Sequence, residues 1–176
     1  MRVTRKQAEI NRQRIIDSAV RLFAERGVDA VGVAEVMGAA GFTHGGFYNH
    51  FTSKDDLVLE ACSTSFARSL DSLRDGGRRG RPDEADLGTC MSAAMLCESS
   101  KGNPRLSSVY AKGVDELLDA LSEHFGDRDT AMSALSCFVG ARAISRAVEF
   151  ADRELASQFT AASPVVPGQA RVHASS

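Results

Sequence analysis

Tryptophan is absent, tyrosine occurs twice and proline only four times in 176 residues, the first proline being Pro82. Runs of Val, Ile and Thr of strand type are missing as well, which excludes a sheet protein and leaves a chain free to form long helices. No apolar run approaches the ~18 residues needed to cross a bilayer as a helix. No apolar h-region follows the basic start Met1-Arg-Val-Thr-Arg-Lys, so no secretory leader is expected and the protein is placed in the cytoplasm. The four cysteines, Cys62, Cys90, Cys97 and Cys137, contain no C-x-x-C pair and no Cys/His cluster, so neither a zinc site nor any other metal is expected. No Ser/His/Asp set or paired-carboxylate constellation stands out, and neither an enzyme nor a cofactor is expected.

The charge is small overall but unevenly placed. Residues 1–54 hold eight Lys/Arg against five Asp/Glu, a net +3, whereas residues 55–176 hold thirteen against eighteen, a net −5. A basic head on an acidic body points towards a polyanion at the head.

The apolar pattern is helical throughout. Ile15, Ile16, Ala19, Val20, Leu22 and Phe23 recur at helical spacing and predict a helix over 4–26, stopped by Gly27. Short helices are predicted over 33–40, ended by Gly41, and over 44–50, with Thr43 placed to cap the second. Ser53 caps a long fourth helix whose apolar face is Leu59, Cys62, Phe66, Leu70 and Leu73. A Gly- and charge-rich loop is expected over 75–84, followed by helices over 85–99, 105–125, 128–151 and 152–160. The segment 161–176 has little helix signal and is expected to be a disordered tail.

The informative stretch is Val33 to Leu57, VAEVMGAAGFTHGGFYNHFTSKDDL. Two short helices around a glycine turn make a helix-turn-helix. The second of them is a poor helix on its own account, because Gly45 and Gly46 each cost about 1 kcal/mol relative to Ala. Packing by Phe47 and Phe51 must hold it. What the glycines offer is close approach of the backbone to another surface. His44, Tyr48 and Asn49 then present groups able to hydrogen-bond base edges or phosphates. Lys54 stands in the first turn of the fourth helix, where the dipole disfavours a cation, and reads as a phosphate clamp.

These residues resemble the head of TetR/AcrR-type repressors: Ala40-Gly41, Phe42-Thr43, Gly45-Gly46-Phe47-Tyr48-Asn49-His50-Phe51 and Ser53-Lys54-Asp55-Asp56-Leu57 follow that family's pattern over residues 10–60. Gly32 departs from it by standing where a Thr or Ser usually caps, and Met37 by replacing a usual Ala. Residues 88–94 and 140–148 look like a subgroup with the Gly-Gly-Phe-Tyr head. The resemblance implies an all-α fold, a three-helix helix-turn-helix head (1–52) joined by the long fourth helix to a helical ligand-binding and dimerisation body (53–160). It implies a homodimeric repressor on double-stranded DNA with a near-palindromic operator, released by a small-molecule inducer. Tyr48 and Lys54 would bind phosphates. Thr43, His44, Gly45, Gly46 and Asn49 would lie at the groove, with His50 near the backbone. Arg2, Arg5 and Lys6 would form a basic arm.

In the body, Phe66, Leu70, Met91, Met95, Leu96 and Tyr110 are the candidate pocket. Leu117, Leu121, Leu135, Phe138, Val139, Ala143 and Ala147 form stripes on two helices that suit a four-helix dimer interface. Cys90 and Cys97, seven residues apart and therefore on one helix face, are the pair that an alternative switch by oxidants or electrophiles would use.

Overall fold

A computed structural model describes residues 4–77 and 102–161, and all secondary structure among them is helical. Helix α1 (Arg5–Arg26) starts at Thr4, whose side-chain oxygen accepts the Gln7 N–H, and ends at Gly27, which takes φ +83° and donates its N–H to the Phe23 carbonyl. Helix α2 (Val33–Ala39) starts at Gly32 without a side-chain cap. It closes with paired bonds, Phe42 N–H to the Met37 carbonyl at 2.8 Å and Gly41 N–H to the Gly38 carbonyl at 3.0 Å. That closure needs the left-handed residue which Gly41 supplies at φ +80°. A 3-10 helix (His44–Asn49) follows, then the long α3 (Lys54–Gly77), capped by Ser53 Oγ accepting the Asp56 N–H at 3.1 Å.

Beyond the undescribed stretch, α4 (Pro104–Phe125) starts with Pro104 in its first turn and the Asn103 side chain accepting two N–H groups. Gly126, left-handed at φ +90°, ends it. Helices α5 (Arg128–Val148) and α6 (Arg153–Ala161) complete the chain as described.

Two boundaries differ from the sequence reading by more than one residue. Helix α3 continues to Gly77, into the region expected to be a loop from residue 75. Helix α5 stops at Val148 rather than 151, because the Ala151 and Asp152 N–H groups both turn back to the Val148 carbonyl. The helix expected over 85–99 and nearly all of the tail lie outside the described residues.

One apolar core runs through the molecule. Ile15, Phe23, Val31, Met37, Phe47 and Phe51 fill the head, and Leu57, Val58 and Ala61 of α3 close it. Further along α3, Phe66, Leu70 and Leu73 belong to the same cluster as Leu106, Leu117, Leu121 and Leu135 of α4 and α5. Helix α3 therefore serves both halves. Salt bridges from Arg12 to Glu60 and from Arg68 to Asp17 fasten α1 along it. Where α3 crosses α4, the ring of Phe66 lies directly on Gly113, and a Cβ at that position would overlap the ring.

Candidate nucleic-acid interface

The 3-10 helix after the Gly41 turn is held from beneath. Phe47 and Phe51 are both buried, with ring centroids 5.5 Å apart and planes 24° apart, and the Arg12 guanidinium covers Phe51 at 4.6 Å. The segment was expected to be an α-helix. It is wound more tightly, with Gly46 N–H to the Thr43 carbonyl at 3.0 Å and His50 N–H to the Phe47 carbonyl at 2.9 Å. Two adjacent glycines in six residues remove the propensity for an α-helix, and packing of two aromatic anchors can hold the tighter turn. Thr43 stands at the capping position, but its side chain accepts no N–H of the first turn.

The opposite face is open and polar. Thr43, His44, Gly45, Tyr48 and Asn49 are exposed, while Gly46 and His50 are half-buried. Tyr48 is 70% exposed even though its ring meets the edge of Phe47, 5.3 Å between centroids. Neither Gly45 nor Gly46 has positive φ, and a Cβ at Gly45 would meet nothing within 4 Å. At Gly46 a Cβ would make only ordinary contact with Met37 Cε at 3.6 Å. The fold of the free chain therefore does not demand either glycine.

Two cations of the head make contacts that the sequence did not reveal. Lys54, half-buried at the start of α3, donates from Nζ to the Val28 carbonyl at 2.7 Å and so ties α3 to the loop after α1. Arg14 is exposed on α1, with its guanidinium over the Phe42 ring at 5.1 Å beside the Gly41 turn. Its position on the polar side of an amphipathic helix gave no sign of that neighbour. Arg5 and Lys6 are not a separate arm but the first residues of α1, and Arg2 lies outside the described residues.

The body candidates divide. Phe66 and Leu70 are buried in the core, and Tyr110 packs edge-on to Phe66 at 5.5 Å. Among the described residues, one open groove between α3 and α4 runs past Leu59, Ser63 and Val109, and a second past Leu73, Glu116 and His124. Neither includes those three pocket candidates. Met91, Met95, Leu96, Cys90 and Cys97 lie outside the described residues.

Leu117 and Leu121 are fully enclosed, and Leu135 nearly so, and thus offer no surface to a second copy; their stripes close the core of one chain. Phe138, Val139 and Ala143 are half-exposed and Ala147 is exposed. Cys62 is buried and Cys137 exposed.

Two short helices around the Gly41 turn, with a polar face opened by glycine, form a helix-turn-helix, and the described residues of the body are helical. Residues 15–61 match the model of the bacterial regulatory proteins of the tetR family, and this segment is a TetR-family N-terminal DNA-binding domain. The chain is 44% identical over 59 residues to the HTH-type transcriptional regulator AcrR of Shigella flexneri, covering 34% of this chain and 27% of that protein. It is 34% identical over 96 residues to the HTH-type transcriptional regulator TtgR of Pseudomonas putida, covering 54% of this chain and 44% of that one. The match thus spans less than half of either relative. A tetR-family transcriptional regulator from Streptomyces coelicolor shares the fold, with TM-score 0.61 and 18% identity over 86% of this chain and 76% of that one.

Proposed function

We propose that the protein is a dimeric transcriptional repressor that binds a near-palindromic operator in double-stranded DNA and is released by a small-molecule inducer. The observation that carries the reading is the exposed face of the 3-10 helix, where Thr43, His44, Tyr48 and Asn49 flank a backbone left bare at Gly45. That face enters the major groove, the glycines let the backbone approach, and Asn49 and His44 reach base edges. Tyr48, Lys54 and the half-buried His50 take phosphates; Lys54 keeps two N–H groups beyond the one given to Val28.

The second copy docks on the exposed side of α5. Met132, Val139, Ala143 and Ala147 follow one another at helical spacing there, and the exposed Phe150 lies just beyond the end of the helix. Ala147→Glu then shifts the protein from dimer to monomer in sedimentation, whereas a monomeric wild type would remove this part of the reading. The inducer occupies the helical body, and the protein acts in the cytoplasm, where its DNA is.

The deciding experiment is selection of duplexes from a random-sequence pool, followed by titration over a range of salt. A recovered site with two inverted half-sites is expected, together with a log–log salt slope of about −0.9 per phosphate contact. Recovery of no preferred sequence would sink the proposal.

A further inference from the structure

Helix α5 reaches the head at one place. The Arg146 guanidinium donates to the carbonyl of Ala24 in the last turn of α1, across 122 residues of sequence. Among the described residues this is the only hydrogen bond or ion pair that joins α5 to α1. The carbonyls of a helix's final turn lack intrahelical partners and carry the negative end of the dipole, so a guanidinium there is doubly favoured. Gly27, the residue that ends α1, lies alongside: a Cβ placed on it would be 3.9 Å from Arg146 Nη2.

The neighbouring residue gives this contact its reach. Ser145 is buried and donates its hydroxyl to the Ala156 carbonyl at 2.9 Å, binding α5 to α6. Within one turn lie Ala143 and Ala147. The head is otherwise carried on α3, to which the Arg12–Glu60 and Arg68–Asp17 pairs fasten α1. Arg146 adds a point of attachment on a different helix of the body.

We propose that Arg146 is a positioning residue that latches the end of α1 to α5 and so sets the angle of each head and the separation of the two heads across a dimer. The proposal rests on the dimeric DNA-binding reading above. Arg146 itself touches no DNA. Its loss leaves the contacts of each head intact and relaxes only the spacing at which both can be made at once.

The test uses the duplex recovered by wild-type selection and a second duplex with two base pairs inserted between its half-sites, which displaces one half-site by about 7 Å and turns it by roughly 70°. Wild type should strongly prefer the first. Arg146→Ala should reduce that preference by about tenfold, the scale of one charge-assisted hydrogen bond, with its salt slope unchanged. Arg146→Lys, which keeps one cationic donor, should restore much of the preference. Because the alanine variant can also lose stability, thermal unfolding is followed alongside, and Arg146→Gln supplies a shorter, neutral donor that should fall between the two, nearer to alanine. An unchanged preference in folded Arg146→Ala would overturn the latch while leaving the DNA reading in place, as would a wild type that selects a sequence yet ignores spacing. A wild type that selects no sequence would overturn the DNA reading itself and the latch with it.

Discussion

The ammonium of Lys54 lies 2.7 Å from the carbonyl of Val28, so that the first residue of α3 holds the loop that leaves α1. It is one of three cations gathered on that short stretch. Arg26 donates to the Ala30 carbonyl at 3.2 Å, and Arg146 donates to that of Ala24. The carbonyls at the end of a helix and in the turn behind it have few backbone partners, and here side chains from three different helices supply them. The position that looked electrostatically awkward for a lysine, beside Asp55 and Asp56 in a helix first turn, is explained by where its long stem reaches.

Lys54→Ala should therefore have two separable effects. Loss of a part-buried, charge-assisted hydrogen bond lowers unfolding stability by about 1–2 kcal/mol, read by urea denaturation. Loss of a phosphate contact lowers the salt slope of DNA binding by about 0.9. A stability loss with an unchanged slope would make Lys54 a strut of the head and nothing more.

Gly45→Ala should set stability against function. The backbone there has ordinary φ and the space for a Cβ is empty. Restricting the unfolded chain should raise stability by roughly 0.4–1 kcal/mol. The added methyl group stands on the exposed face, where it holds the backbone away from the groove, and operator affinity should fall at least several-fold. A variant that is more stable and binds equally well would show that the bare backbone is not used.

Much of this architecture is legible in the sequence, for definite reasons. Helix stops at Gly27, Gly41 and Gly126 each coincide with positive φ, a demand that glycine alone meets easily. Ser53 announces a helix start because its side chain accepts a free N–H group of the first turn. What periodicity does not give is the partner of a stripe. Leu117, Leu121 and Leu135 repeat as an interface would, yet they turn inward, since spacing says that a face is covered and not by what. The contacts of Lys54 and Arg146 were invisible for a related reason: a side chain meeting a backbone carbonyl 26 or 122 residues away leaves no local pattern.

The crossing of α3 and α4 should be intolerant of one methyl group. A Cβ on Gly113 would overlap the buried Phe66 ring, which is also held edge-on by Tyr110. Gly113→Ala should cost about 1–3 kcal/mol by overpacking, despite the gain in helix propensity. Phe66→Leu should be destabilising alone yet recover part of that loss in the double variant, a coupling measurable by a thermodynamic cycle. Strict additivity of the two substitutions would contradict the contact.

Acid should weaken the start of α5 through one identified group. The Asp127 carboxylate accepts bonds from the Thr130 hydroxyl and, at 2.8 Å, from the Thr130 N–H. These bonds favour the ionised form and hold its pKa below the ordinary value, the hydroxyl bond contributing most. A carboxyl whose pKa is lower folded than unfolded stabilises fully above its unfolded pKa, and the contribution disappears as pH falls through the folded value. Asp127→Asn keeps a capping oxygen but cannot titrate. The stability advantage of wild type over this variant should then be constant above about pH 5 and shrink as pH falls below the ordinary carboxylate range. Thermal unfolding of both proteins across that range measures it, and an advantage that stayed level to the acid end would mean that the Thr130 bonds do not favour the ionised carboxylate.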